Sequence, residues 1–121
     1  MSNMNKVFAK EIPMNKLNGT SFHGHEVNAT LNELRELYGE PHFGDGDKVL
    51  YDWALISYEG VVFSIYDWKV RGVWHGNTLI DWHIGGFSSS DTRKAKNTIN
   101  LDLLNLRAKK RTEEIQNKYD K

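Results

Sequence analysis

A central stretch of the chain most constrains the fold, because it holds three strand-forming segments with short connections. Residues 49–57 and 61–68 are rich in β-branched and aromatic residues, and Tyr58-Glu59-Gly60 between them predicts a β-hairpin. Residues 80–84 predict a third strand, which closes with a Gly-Gly pair. This succession predicts an antiparallel β-meander.

A capping box predicts a short helix before this meander. Thr30 stands at the N-cap and Glu33 at the third helical position, so the side chain of each can bond the other's backbone N–H. Gly39 favours the left-handed conformation that ends many helices, and Pro41 prevents continuation. We therefore expect a helix over residues 30–38.

A second, longer helix is predicted over residues 91–118, after a run of serines that can cap it. Its apolar stripe continues as far as Ala108, beyond which only Ile115 and Tyr119 are apolar. The last turns therefore either project into solvent or are covered by another subunit.

The beginning of the chain carries weaker patterns. Residues 1–17 predict a loosely ordered N-terminal segment with room for a short edge strand, and residues 20–27 alternate as a strand. The resulting order is β-α-β-β-β-α. It predicts one α+β domain, residues 1–121, in which an antiparallel β-meander carries an N-terminal short helix and a long C-terminal basic helix.

Composition narrows the class of protein. The chain contains no cysteine, which is compatible with a reducing cytoplasm and removes disulfides and thiolate chemistry. It has no apolar run long enough to span a membrane, and no apolar segment near its start that would predict a signal peptide. We therefore expect a cytoplasmic protein without a membrane partner.

The zero net charge conceals an asymmetry along the chain. Residues 1–92 carry seven Lys or Arg against twelve Asp or Glu, and residues 93–121 carry nine against four, so the two parts have net charges of −5 and +5. A basic tail on an acidic body is typical of anion binding, of self-assembly, or simply of a solvated helix. Double-stranded DNA is not a predicted partner, because the basic residues are confined to one helix.

No catalytic, metal or cofactor site is predicted, and the sequence indicates a binding protein rather than an enzyme. A nucleophile elbow, a paired-carboxylate motif and a Gly-x-x-x-x-Gly-Lys loop are all absent. His23 and His25 could reach one metal ion from a strand, but no spacing supplies further ligands, so surface histidines are favoured. Asp45-Gly-Asp47 is similar to the start of a calcium loop, but Ile56 occupies the position of the required Glu.

Aromatic residues beside charged ones provide the main candidates for ligand binding. Tyr66, Trp68 and Lys69 are close together after the second predicted strand, and Trp82 and His83 are adjacent on the third. Aromatic rings next to Lys, His and backbone amides suit nucleobases and phosphates. The commoner use of Trp and Tyr is to fill the core, and for Trp82 both interpretations stay open.

Phosphate contacts are predicted from flexible backbone, hydroxyls and basic pairs. Thr20 and Ser21 follow a glycine, and Arg107 and Arg111 stand one helical turn apart, where they could clamp an anion or pair with a neighbouring subunit. The complete set of predicted ligand-binding residues is Thr20, Ser21, His23, Tyr66, Trp68, Lys69, Trp82, His83, Gly85, Gly86, Arg107 and Arg111.

Six short blocks, in order, resemble a family of small bacteriophage proteins. The resemblance covers about residues 19–86, and the helix after residue 91 is longer than the usual family tail. The blocks are Gly19-Thr20-Ser21-Phe22-x-Gly24, Ala29-Thr30, Leu37-Tyr38-Gly39-Glu40-Pro41, Gly44-Asp45-Gly46-Asp47-Lys48, Ile65-Tyr66-Asp67-Trp68-Lys69 and Asp81-Trp82-His83-Ile84-Gly85-Gly86.

This family is similar to phage sponges that defeat nucleotide-signalled immunity. The resemblance implies an anti-CBASS protein that binds a cyclic dinucleotide such as 3′,3′-cyclic GMP-AMP without cleaving it. It also implies a homo-oligomer, a tetramer in one such case, that acts in the host bacterial cytoplasm during infection. Two alternatives stay open: a sponge for the cyclic ADP-ribose signals of Thoeris, and a protein-binding inhibitor of a host defence effector.

Overall fold

The predicted meander forms the centre of one antiparallel sheet. A computed structural model describes residues 7–70 and 74–119. Within these residues, six strands form a single sheet in the order β1-β4-β5-β6-β2, and β3 also pairs with β4. The strands are β1 (Ala9–Glu11), β2 (Ser21–Ala29), β3 (His42–Phe43), β4 (Tyr51–Ser57), β5 (Val62–Tyr66) and β6 (Ile80–Gly86).

Two helices complete the predicted α+β architecture, α1 (Leu31–Tyr38) and α2 (Ser89–Tyr119). Both pack on one face of the sheet, with α2 against β2, β5 and β6. Alternation along the strands directs large apolar side chains to this face, and they meet small and branched residues of α2. The fully buried members of this core include Trp53, Leu55, Phe63, Ile65, Trp82, Ile84, Ala95 and Ile99.

Two tryptophans at the centre of the core connect the sheet to α1. The rings of Trp53 and Trp82 meet edge to face, with centroids 5.5 Å apart. Trp53 Nε1 donates a hydrogen bond of 2.9 Å to the carbonyl of Gly39, and Trp82 Nε1 donates one of 2.9 Å to the carbonyl of Ala29. These carbonyls flank α1, so the two indoles hold both ends of the helix.

The capping box of α1 is confirmed in full. The Thr30 hydroxyl accepts from the backbone N–H of Glu33, and the Glu33 carboxylate accepts from that of Thr30, each at 3.0 Å. Gly39 at the other end has φ +87°, a conformation that side chains disfavour. The sequence therefore predicted the bounds of this helix correctly.

The long helix is confirmed but begins earlier than predicted. It starts at Ser89 rather than at residue 91, because the Ser88 hydroxyl accepts a 3.0 Å hydrogen bond from the backbone N–H of Asp91. The sequence offered several capping residues in a row and could not rank them. No helix of the described residues is long and apolar enough to cross a membrane.

The N-terminal segment is more ordered than the sequence predicts. Of residues 1–17, the first six lie outside the described residues, and the rest form the edge strand β1 and a 3-10 helix over Met14–Leu17. The buried carboxylate of Asp102 accepts from the Phe8 N–H at 2.9 Å and from the Tyr38 hydroxyl at 2.7 Å. Burial raises the pKa of Asp102, while its two hydrogen bonds oppose that rise. The Asp102 side chain of α2 thus joins Tyr38 of α1 to Phe8 of the N-terminal segment.

The connection from β1 to β2 crosses the sheet from one edge to the other. Its 3-10 helix contacts β4 and β5. Ala54 and Ser64 are cross-strand neighbours that point away from the helices, and both are nevertheless buried. We infer that residues 12–20 cover this part of the face opposite α1 and α2, which we call the second face.

Replacement of Thr30 by Ala should lower the free energy of unfolding by about 1 kcal/mol, because the first turn of α1 loses its side-chain cap. Chemical denaturation at neutral pH measures this change. Thr112→Ala is the matched control, since the Thr112 hydroxyl donates to the carbonyl of Ala108 in the exposed last turns of α2. Equal stability of the wild type and the Thr30 variant would contradict a role for the cap.

Candidate functional site

Aromatic side chains gather on the uncovered part of the second face. The His83 imidazole stacks on Phe22 with centroids 4.0 Å apart and lies 6.1 Å from the roughly parallel ring of Trp68. Tyr66 meets His83 edge to face at 5.5 Å and Trp68 at 6.3 Å. We call Phe22, Tyr66, Trp68 and His83 the aromatic cluster. Trp68 and Phe22 are 39% and 41% exposed, so flat apolar surface remains available to a ligand.

A lysine supplies positive charge beside this cluster. The ammonium of Lys69 lies 5.4 Å from the centroid of the Trp68 ring, within the range of a cation–π interaction. Lys69 has φ +51°, the left-handed conformation that non-glycine residues adopt at some energetic cost. Its N–H donates to the carbonyl of Lys48 at 2.8 Å, which helps to hold this conformation. The turn thus places a cation next to a half-exposed indole.

The histidine of the cluster is held by a carboxylate. His83 Nε2 lies 3.0 Å from an oxygen of Glu26. Burial lowers the pKa of His83, and the neighbouring Glu26 opposes that effect without cancelling it. The ring is therefore neutral at pH 7, with an Nε2–H that donates to Glu26 and an Nδ1 that can accept.

Cross-strand register aligns five titratable side chains on the second face. His42 pairs with Asp52, Asp52 with Tyr66, Tyr66 with His83, and His83 with Glu26, across five adjacent strands. We call these residues the polar row. Directly opposed side chains on neighbouring strands lie close enough to interact. The row therefore runs from one edge of the sheet to the other and passes through the aromatic cluster.

One member of the polar row lacks a partner. The Oδ1 atom of Asp52 is buried and has no hydrogen-bond partner among the described residues. Burial raises the pKa of Asp52, His42 opposes that rise, and Asp67 adds to it. Asp67 itself is satisfied, because it accepts from the backbone N–H groups of Leu50 and Tyr51. A buried carboxylate oxygen without a hydrogen-bond partner among the described residues thus lies in the polar row, directly across from Tyr66.

The structure brings together four of the predicted ligand-binding residues. Tyr66, Trp68, Lys69 and His83 all belong to or adjoin the aromatic cluster. They come from the end of β5 and from β6, which are neighbours in the sheet. Gly85 lies between them and Phe22 as the cross-strand partner of Phe22, and the other predicted residues lie elsewhere.

Trp82 is a core residue, which corrects its prediction as a ligand contact, and the two glycines of β6 are closely packed. Trp82 is 0% exposed and belongs to the core, so it offers no platform for stacking. A Cβ on Gly85 would lie 2.5 Å from Ser64 Oγ, and one on Gly86 would lie 2.8 Å from Thr92 Cγ2. These glycines therefore allow close approach of neighbouring protein groups.

The predicted phosphate contacts near the start of β2 are used locally. The Thr20 hydroxyl donates to the carbonyl of Leu17 at 2.7 Å. His23 Nε2 lies 3.1 Å from the carbonyl of Gly86 and 3.3 Å from the exposed Ser21 hydroxyl. Ser21 and His23 flank Phe22 on β2, and because side chains alternate along a strand they point to the opposite side from the Phe22 ring.

Arg107, which the sequence predicts as half of an anion clamp on α2, is paired with a carboxylate of α1. Arg107 donates to both oxygens of Glu33 at 2.7 and 2.9 Å, and this pairing lowers the pKa of Glu33. Its guanidinium fixes α2 to α1, whereas Arg111 is exposed one turn later. An anion would have to compete with Glu33 for this arginine.

The two histidines considered for metal binding point to other partners. His25 Nδ1 lies 2.7 Å from the Thr92 hydroxyl, and His23 is bonded as described above. Asp45 accepts from three backbone N–H groups of its own loop, which lowers its pKa. Across residues 7–70 and 74–119, no group of three or more His, Cys, Asp or Glu side chains could hold a metal ion.

Sequence reasoning missed three residues of the candidate site: Phe22, Glu26 and Asp52. Phe22 and Glu26 come from β2, whose contact with β6 spans about 60 residues of sequence. Alternation in β4 placed Asp52 opposite the core face, and this signal could have identified it. The positions of the other two depend on the irregular register of β2.

Comparison with known proteins gives no further assignment, since no protein-family model, no curated protein and no solved structure matches this chain.

Replacement of Asp52 by Asn should raise the free energy of unfolding at pH 7 by about 1 kcal/mol, because it removes a poorly solvated charge. The folded pKa of Asp52 lies above its ordinary value of 3.8. Wild-type stability therefore falls relative to the variant as pH rises through the folded pKa, and the two converge below pH 3.8.

Denaturation curves across this pH range measure the difference. Asp47→Asn, at an exposed position of the loop before β4, is the matched control and should show little change at any pH. An Asp52→Asn variant that is less stable than the wild type at pH 7 would contradict the interpretation that the buried charge of Asp52 destabilises the fold.

Proposed function

We propose that this protein binds a nucleotide on its second face and sequesters it without chemical conversion. The observation that carries the proposal is the half-exposed Trp68 ring with the Lys69 ammonium 5.4 Å from its centroid. An indole offers stacking to any base, and an adjacent cation attracts phosphate. Both groups lie on one open surface, which suits a flat anionic ligand.

The rest of the aromatic cluster fits the same ligand. Phe22 extends the apolar surface on the other side of His83. The neutral His83 offers a hydrogen-bond acceptor, and the Tyr66 hydroxyl, whose pKa burial raises, stays protonated and can donate. These uncharged polar groups suit a base edge, while Lys69 suits the phosphate.

The acidic side chains decide how such a ligand would be oriented. Glu26 and Asp52 flank the cluster within the polar row, so phosphates would be repelled from the row itself. The phosphate therefore belongs at the Lys69 end, and the base belongs over the rings. This orientation is specific enough to be tested by substitution.

The identity of the ligand follows from the sequence resemblance alone. We propose a cyclic dinucleotide such as 3′,3′-cyclic GMP-AMP, bound by a phage protein that inhibits CBASS-type immunity in the cytoplasm of an infected bacterium. Sequestration needs only affinity, because protein in excess of the signal lowers the free ligand. The resemblance further implies self-association into a homo-oligomer.

Thermal unfolding with a panel of nucleotides tests the proposal directly. A rise in Tm with cyclic dinucleotides supports the CBASS signal, whereas a rise only with cyclic ADP-ribose isomers assigns a Thoeris signal. Protein and ligand are then heated to denature the protein, and the ligand is analysed. Intact ligand supports sequestration, whereas linear products would indicate an enzyme. No shift with any nucleotide would overturn the proposal and leave a protein-binding inhibitor as the alternative.

Replacement of Trp68 by Ala should raise the Kd of the bound nucleotide by about fivefold to a hundredfold, because stacking on one ring contributes about 1–3 kcal/mol. Isothermal titration calorimetry measures the effect, and circular dichroism checks that the variant is folded. Phe43→Ala is the matched control, because Phe43 is 82% exposed and lies outside the aromatic cluster. Equal affinities for the two variants would place the ligand elsewhere.

A further inference from the structure

The long helix α2 has a second apolar stripe that its own domain leaves uncovered. Leu101, Leu104, Ala108 and Ile115 recur at spacings of three, four and seven residues, and therefore share one side of the helix. Leu101, Leu104 and Ile115 are 42%, 63% and 51% exposed. At 100° per residue this side lies roughly opposite the stripe that Ile99, Leu103 and Leu106 bury in the core.

The helix also continues beyond the body of the domain. Its last described contacts with α1 are the ion pairs of Arg107 with Glu33 and of Lys110 with Glu36. Residues 111–118 are all exposed. A projecting amphipathic helix with an apolar stripe is the usual form of one half of a helix pair.

We propose that two copies of this chain pair antiparallel through the stripe formed by Leu101, Leu104, Ala108 and Ile115. This inference deepens the self-association in the proposed function by naming the surface and its geometry. It does not depend on nucleotide binding.

Charge complementarity favours a second copy as the occupant. If the stripe is read as heptad positions a and d, antiparallel packing places Leu104 opposite Ile115 of the partner subunit. Arg107 and Glu114 both fall at position g, and in this register Glu114 of the partner subunit lies beside Arg107 and adds a second carboxylate to the ion pair that Arg107 forms with Glu33. The two-fold axis repeats both contacts, so the dimer contains two Leu–Ile layers and two opposite-charge pairs. Between the two apolar layers, Ala108 of each copy faces Arg111 of the other.

The unequal charge along the chain supports the same arrangement. In an antiparallel pair the basic end of one helix extends over the acidic body of the other copy. The helical part, residues 93–121, has a net charge of +5, and the body, residues 1–92, has a net charge of −5. The chosen register places Lys118 of the partner subunit next to Leu101. Leu101 lines a surface cavity of about 220 Å³ together with Glu59 and Lys94, so the partner's aliphatic lysine stem can pack beside Leu101 and its ammonium can reach Glu59.

A parallel pair explains less of the sequence. It would bring Arg111, which falls at position d of the same heptads, against Arg111 of the partner subunit and both projecting basic ends together, and like charges at close range oppose pairing. Antiparallel packing separates these ends. The stripe therefore selects a helix as partner, and the charges select its direction.

Sedimentation velocity of the full chain without ligand, over a range of concentrations, tests the proposal. We expect a reversible dimer, and Leu104→Glu should raise its dissociation constant at least tenfold, because two buried leucines are lost per dimer. Leu79→Glu is the control, since Leu79 is equally exposed but lies before β6. A monomer at every concentration, or a dimer that survives Leu104→Glu, would overturn the proposal.

Disulfide cross-linking determines the direction of the pair. The natural chain contains no cysteine, so each introduced thiol is unique. Antiparallel pairing predicts that Leu104→Cys mixed with Ile115→Cys cross-links and that Leu104→Cys alone does not. Cross-linking of Leu104→Cys to itself would indicate a parallel pair and overturn the assignment.

These measurements need no nucleotide, so their outcome is separate from that of the ligand experiments. A dimer without nucleotide binding would refute only the proposed ligand function. A monomer that binds nucleotide through Trp68 would refute only the helix pair.

Discussion

The contact between Trp53 and Trp82 is the interaction on which the other elements depend. Each indole fills the core on the helix side of the sheet, and each directs its single N–H to a carbonyl at one end of α1. A buried N–H without an acceptor would cost free energy of folding. The two hydrogen bonds therefore favour the one position of α1 over the sheet that supplies both acceptors. The strands that carry these indoles also carry the polar row on their reverse side. The arrangement of the second face therefore depends on how this core packs.

Local signals in the sequence were sufficient for elements whose partners are near in the chain. The capping box and the β4–β5 hairpin depend on partners close in the chain, and the meander joins strands that follow one another in sequence, and each was predicted. The start of α2 was missed by two residues because several hydroxyls compete for one cap. The order of the N-terminal segment was underestimated, since it depends on Asp102, which lies 94 residues from Phe8.

The candidate site was only half predictable for the same physical reason. Composition singled out Tyr66, Trp68, Lys69 and His83, because their types suit a flat anionic ligand, and the sheet places them together. Which side of β6 faces the core was not fixed by alternation, because Trp82 and His83 are both plausible on either side. Only the register with β2 and β5 decides it. The glycines of β6 are predicted as ligand-binding backbone, and the structure adds that they leave space for Ser64 and Thr92.

The segment that crosses the second face limits the width of the sheet. Four strand spacings separate β1 from β2, or about 19 Å at roughly 4.8 Å each. Nine residues connect them, of which four are in the 3-10 helix. At about 2.0 Å per residue there, and about 3.3 Å elsewhere, the connection reaches roughly 25 Å. Little slack remains, so a relative that gained a strand between β1 and β2 would also need a longer connection. Insertions are more easily accommodated in loops that join neighbouring strands.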